Sequence, residues 1–287
     1  MNLFAMKASY PLDDLTLQEM NTLISKSEYP AHVDLYEVMQ FARLQDATCN
    51  GFLVLAYDED VDQLIGAVNA YDLFGMNAFE WSMVVHPDYR NIGIEEVLIE
   101  GLKHGLNERE STGEMAAIVS VANYTALLEE QGYEYNSSKY QMAAKPVKLM
   151  DETIKVIPFE QAHLPQLQQI FTEGFGDLPE ETAEMAALME DEETSQLWMV
   201  LRDEAVVGTF TTAVVADDVW LTSVATKEQF RNQGIALSML NWVKNYTCEK
   251  NFSSIAVEVE SDNPAAVQLY KKSGFNITTQ IDYFVVK

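Results

Sequence analysis

The sequence has 287 residues, 48% of them hydrophobic and 22% charged, and its 45 acidic against 18 basic side chains leave a net charge of −27. At about 150 residues per domain, that length and apolar content suit two globular domains. The acidic field disfavours nucleic acid and anionic membrane as partners and favours a cationic small molecule, although an ordinary solvated acidic surface has the same composition.

The N-terminal stretch MNLFAMKASYPLDD lacks a basic segment followed by a long apolar one, so no signal peptide is expected. No apolar run approaches the roughly 20 residues of a membrane span. Cys49 and Cys248 lie in different halves, and His32, His86, His104 and His163 are scattered. Neither set has disulfide or zinc spacing, so no metal is expected and a reducing cytoplasm is the expected location.

From Phe52 onward the chain anticipates itself. FLVLAYDEDVDQLIGAVNAYD, starting at Phe52, resembles WMVLRDEAVVGTFTTAVVADD, starting at Trp198, and Gly66 matches Gly208. Arg90-Asn91-Ile92-Gly93-Ile94 recurs 141 positions later (231 − 90) as Arg231-Asn232-Gln233-Gly234-Ile235. LLEEQGY (Leu127 to Tyr133) matches LYKKSGF (Leu269 to Phe275). Segments in one order at nearly one offset mark two copies of a whole domain. The halves meet near Lys145-Pro146-Val147-Lys148, giving expected domains of 1–145 and 151–287.

In the second half, Gln161 to Phe171 and Glu180 to Met189 have helical periodicity. Leu197 to Leu201 and Val206 to Val215 predict a hairpin around Arg202-Asp203-Glu204. Val219 to Ala225 is a third strand, rich in β-branched and apolar residues. Ile235, Met239, Leu240, Val243 and Tyr246 place one apolar face on a helix from Ile235 to Lys250. Ile255, Val257 and Val259 alternate with polar neighbours, which predicts a half-buried strand. Asn263 and Pro264 open a further helix that stops near Gly274, and Phe275 to Val286 returns as strand. The order α, antiparallel strands, α, β, α, β predicts a mixed α/β domain.

Val224-Ala225-Thr226 followed by Arg231-Asn232-Gln233-Gly234-Ile235-Ala236 reads as strand, loop, helix. Small residues at 234 and 236 let the backbone approach a ligand, and the unpaired N–H groups of the helix start suit a pyrophosphate. This segment resembles the acetyl-CoA motif of the GCN5-related N-acetyltransferase family, Arg/Gln-x-x-Gly-x-Gly/Ala after a strand. NPAAVQLYKKSGF resembles that family's second motif at Asn263, Ala266, Tyr270, Gly274 and Phe275. The resemblance spans Val206 to Val286. It implies two tandem copies, each a mostly antiparallel twisted sheet flanked by helices.

It also implies roles. The backbone of Arg231 to Ala236 would hold the pyrophosphate of acetyl-CoA. Main-chain groups of Val224, Ala225 and Thr226 would hold the pantetheine arm and the acetyl carbonyl. Asn263 would touch the CoA arm. Tyr270 would protonate the leaving thiolate, and a primary amine would attack directly. No carboxylate stands on the strand before the loop, so Glu258 on the next strand is the candidate base. Each has a plainer role open to it: Tyr270 as core residue, Asn263 as helix cap, Arg231 as surface charge, Glu258 as a solvated strand residue. A non-catalytic acyl-CoA module and an acyltransferase for longer acyl chains are the alternatives. A tandem chain is expected to be a monomer.

The first half keeps the strand and loop from Trp81 to Arg90 but places Glu95 where the second has Ala236, Leu128 where it has Tyr270, and Val121 where it has Asn263. A carboxylate beside a pyrophosphate is repulsive, so this copy is expected to bind no cofactor. Glu80, Tyr71, Phe74, Phe79 and Trp81 are either core residues or a wall for the substrate cleft.

Overall fold

The computed structural model describes residues 2–27, 48–72, 75–149, 153–190, 194–215 and 217–287. His32 and Phe74 lie outside the described residues. The chain divides into two units, Met1–Lys139 with Thr278–Lys287, and Tyr140–Ile277.

In unit 1 the elements are β1 (Leu3–Ser9), α1 (Asp14–Lys26), β2 (Gly51–Asp58), β3 (Gln63–Asp72), β4 (Ala78–Val85), α2 (Ile94–Glu108), β5 (Gly113–Val119) and α3 (Thr125–Glu130). Then β6 (Tyr133–Ala144) runs across the division. Asp13 starts α1 by accepting the N–H of Thr16 at 2.8 Å. The sheet order is β1-β2-β3-β4-β5-β12, where β12 is Asn276–Val286. Only β4 and β5 run parallel; the other pairs are antiparallel. On one face Leu53, Leu55, Ala67 and Val84 pack against Leu17, Met20 and Leu23 of α1. On the other, Phe52, Val54, Val68 and Trp81 pack against Ile94, Leu98 and Leu102 of α2.

Unit 2 contains β7 (Lys155–Pro158), α4 (Leu164–Phe175), α5 (Pro179–Glu190), β8 (Ser195–Arg202), β9 (Ala205–Val215), β10 (Asp218–Thr226), α6 (Ile235–Lys250), β11 (Ser254–Glu260) and α7 (Pro264–Lys272). Its sheet order is β6-β11-β10-β9-β8-β7, with β10 and β11 parallel. The β8–β9 hairpin turns at Asp203 and Glu204, both left-handed at φ +49° and +64°, the twist-matched two-residue turn. Residues 161–163, expected as the first turn of a helix, form a tighter 3₁₀ turn before α4. Ile235, Met239, Leu240 and Val243 of α6 and Val267 and Tyr270 of α7 share a core with Val219, Leu221, Ile255 and Val257. Leu167, Ile170 and Phe171 of α4 and Ala186 of α5 pack on the opposite face against Leu197, Met199 and Ala225. Gly208 explains why the repeat keeps glycine here: a Cβ would sit 2.3 Å from Met239 Cε and 2.6 Å from the carbonyl oxygen of Ala225. Without that Cβ, α6 lies close on β9.

The last strand differs from the expected division. The expected domain 151–287 includes Phe275 to Val286, yet β12 (Asn276–Val286) pairs antiparallel with β5, Ile281 against Val119 and Val285 against Met115. From Thr278 on it belongs to the compact unit that begins the chain. Phe284 is buried in that unit's core.

Candidate functional site

The site in unit 2 is built on β10. Its parallel pairing with β11 stops at Leu221 and Val257, although β10 continues to Thr226 and β11 to Glu260. Pairing with β9 continues on the other side as far as Thr226 and Gly208. Past Leu221 the two strands therefore part, and the backbone groups of Thr222 to Thr226 that turn away from β9 meet no strand there. The register shifts between Thr222 and Ala225, and Ser223 sits at φ +52°. This is a bulge, which bends a strand and re-aims its groups. Thr222 is exposed, and Ser223, Val224 and Thr226 are half-buried. An extended polar arm can lie in this opening and meet main-chain N–H and C=O groups that no neighbouring strand pairs on this side.

The chain then turns through Glu228–Phe230 into the glycine loop. Gly234 caps α6 at φ +82°, ψ −1°, and no side chain caps the helix. Nothing lies within 4 Å of the place a Cβ would take, so the left-handed backbone, and not crowding, is what calls for glycine. The unpaired N–H groups of the first turn and the positive end of the helix make an open cradle for a phosphate.

The Arg231 side chain is not a loose surface charge. Its Nε donates to the Thr226 carbonyl at 3.2 Å and its Nη2 to the Glu173 carbonyl at 2.7 Å. It therefore ties the loop to the end of β10 and to α4. The Glu173 carboxylate accepts the N–H of Glu228 at 2.7 Å. That backbone donor, with help from Gln169, Lys227 and Arg231, holds the carboxyl below its usual range. Glu173 had no sequence signature.

Tyr270 and Asn263 come from α7. Tyr270 is 7% exposed and its ring meets Phe275 edge-on at 5.6 Å. Burial pushes its hydroxyl up to about 12, so it keeps its proton at any physiological pH. Lys244 donates to the Ser273 carbonyl and steadies the end of α7. Asn263 is exposed and caps α7, its Oδ1 accepting from Ala266 N at 3.1 Å.

Glu258 is exposed on β11, on the face opposite Val257 and Val259. Tyr270 lies on the α6–α7 face, so the two groups stand on opposite faces of the sheet. One Glu258 oxygen accepts from Gln141 Nε2 at 3.1 Å. Gln141, on β6, is 3% exposed and was not foreseen.

Unit 1 has the same frame with different contents. Pairing of β4 with β5 stops at Trp81 and Ala116, as in β10. The register with β3 is unbroken, with no bulge. Ser82 to Val85 are all buried. Arg90 repeats the clamp, Nε to the Val85 carbonyl at 3.1 Å and Nη2 to the Ser27 carbonyl at 2.7 Å. Gly93 repeats the left-handed cap at φ +97°. Leu128, in place of Tyr270, is fully buried core. Tyr71, Phe79 and Trp81 are core too, and the Tyr71 hydroxyl donates to Glu80 at 2.5 Å, so these residues stabilise unit 1 internally instead of lining a cleft.

The profile described as "Acetyltransferase (GNAT) family" matches residues 17–133 and again 164–275. The chain belongs to the GNAT acetyltransferase family, whose members are acyl-CoA-dependent acyltransferases, and it carries two copies of the fold. Among solved structures, a GCN5-related N-acetyltransferase from Sphaerobacter thermophilus is similar at 18% identity and a TM-score of 0.76, over 99% of this chain and 95% of that one. A tandem GNAT protein from the clavulanic acid biosynthesis pathway matches at 13% identity and a TM-score of 0.71, over 99% and 98%. A GNAT-family acetyltransferase from Colwellia psychrerythraea matches at 13% identity and a TM-score of 0.63, over 100% of both. At such identities these likenesses speak for the fold alone. No curated protein matches the chain. Among the described residues no helix is long and apolar enough to cross a membrane.

Proposed function

We propose that unit 2 binds acetyl-CoA and transfers its acetyl group to a primary amine by direct attack. The observation that carries this reading is the opening beside the bulged β10, which ends in an uncapped helix start at Gly234. The residues fit the cofactor: the loop Arg231, Asn232, Gln233, Gly234, Ile235 and Ala236 offers backbone N–H groups to a pyrophosphate, and Val224, Ala225 and Thr226 offer main-chain groups to the arm. Asn263 stands exposed at the start of α7, where its amide can meet the same arm.

Acetyl-CoA supplies an acetyl group activated as a thioester. Glu258 takes the proton that the amine loses, with one oxygen held by Gln141 and the other left for the acceptor. Tyr270 gives its proton to the departing sulfur from the other face of the sheet. Main-chain N–H groups along the bulge polarise the acetyl carbonyl. Holding amine and thioester together supplies a large share of the acceleration, so no covalent intermediate on the protein is required. The net charge of −27 favours a cationic acceptor, a small-molecule amine or a peptide amine. We place the enzyme in the cytoplasm, acting as a monomer.

The test is calorimetry with acetyl-CoA on wild type, Gly234→Glu and Gly93→Glu. Both glycines are left-handed, so the two substitutions impose matched backbone strain. One site, lost in Gly234→Glu and kept in Gly93→Glu, is expected. Two sites, or loss only in Gly93→Glu, would overturn the assignment. An amine screen by CoA release follows.

A further inference from the structure

The first copy's helix start is occupied from within. Its helix α2 spans 15 residues, begins at the left-handed Gly93 and has no side-chain cap on that residue. Glu95 stands one residue into the helix and is 3% exposed. Its Oε1 accepts the N–H of Asn91, inside the glycine loop, at 3.2 Å. Its Oε2 is buried with no hydrogen-bond partner. A buried carboxylate oxygen left alone is costly unless a positive field meets it. The N-terminal end of α2 provides that field, as it would for a phosphate. In the second copy the same position is Ala236, which leaves the cradle open.

We propose that Glu95 is the resident anion of the first glycine loop: its carboxylate takes the place a pyrophosphate would hold and closes that loop to phosphate-bearing ligands. The copy is thus a self-liganded form of its neighbour's binding loop and not merely an eroded one. Because Ser82 to Val85 are buried and unbulged, trimming Glu95 opens the cradle alone. Inorganic pyrophosphate then binds, and CoA binds no tighter than pyrophosphate does.

The experiment uses full-length protein carrying Gly234→Glu, which silences the second loop, with and without Glu95→Ala. The readout concerns only the first loop, so it stands whether or not unit 2 transfers acetyl groups. Glu95→Ala is expected to lower the melting temperature by about 2–8 °C. Inorganic pyrophosphate should restore it and leave the parent unmoved. Calorimetry should find one pyrophosphate site in the double variant and none in the parent. A double variant that melts with its parent and takes no pyrophosphate overturns the proposal, as does a destabilised one that pyrophosphate fails to restore. If Glu95→Ala does not fold, Glu95→Gln decides by sign, since it keeps size and an acceptor but drops the charge. A lower melting temperature supports a charge held by the helix field. An equal or higher one means the buried charge was a burden, and overturns it.

Discussion

β4 and β10 descend from one pattern and end in the same clamp. In each, an arginine donates to the carbonyl five residues before it and to a carbonyl at the end of a preceding helix. They part over a single residue. From the last parallel pair to that arginine, β4 uses nine positions (90 − 81) and β10 ten (231 − 221). The extra residue is the bulge at Ser223, and it separates a strand end buried in a core from one that presents its backbone. A loop sequence can thus be kept for the architecture it builds while the strand beside it decides whether a ligand has anywhere to lie. The glycines and arginine are shared by a copy that opens and a copy that is shut.

The sharpest way to break this contrast is to give unit 2 the first copy's carboxylate. Ala236→Glu places a negative charge in the loop proposed to hold the pyrophosphate. At 4–5 Å and an effective dielectric constant near 20 that costs about 3–4 kcal/mol, a weakening of about 100-fold or more in acetyl-CoA affinity. Calorimetry on the folded variant measures it, and unchanged affinity would place the cofactor elsewhere. Tyr270→Phe gives unit 2 an apolar residue, as Leu128 does in unit 1. Turnover should drop by about 100-fold with little change in acetyl-CoA binding. The raised pKa adds a signed expectation: burial favours the neutral phenol, so the acid form persists as pH rises to about 12. Wild-type turnover should then show no alkaline loss attributable to this group below about pH 10. The smallest effect belongs to Glu173→Gln. Its depressed carboxyl contributes stability that is present above the ordinary carboxylate pKa of about 4.3 and disappears as pH falls through the lower folded value. Glu173 is only half-buried and solvent screens its contacts, so the variant should differ from wild type by a degree or so in melting temperature at pH 7, and by less as the pH falls below the ordinary carboxylate range.

Much of the frame is legible in the residues themselves. Alternation at Ile255, Val257 and Val259 gives β11, the spacing from Ile235 gives α6, and Asn263 with Pro264 gives the start of α7. The bulge escapes because Ser223 adopts a left-handed conformation without glycine to announce it. Only the one-residue difference in spacing between the copies carries the signal. The Arg231 clamp escapes because its acceptors are carbonyls, which have no letter in a sequence. Gln141 escapes because it reaches Glu258 from 117 residues away along the chain. The placement of β12 escapes for a related reason: alternation says that Ile281 and Tyr283 lie on one face of a strand, and is silent on which strand lies beside them.

That placement of β12 sets an order of events during synthesis. Residues up to about 139 can form β1 to β5 as they emerge, but β5 waits for the strand at 281–285 before its free edge is paired. Unit 2 can mature while unit 1 still holds an open edge. A chain stopped before Ile281 would leave the edge of β5 in the N-terminal copy unpaired and prone to aggregation. Nonsense and frameshift changes late in the reading frame would thus strike the beginning of the protein.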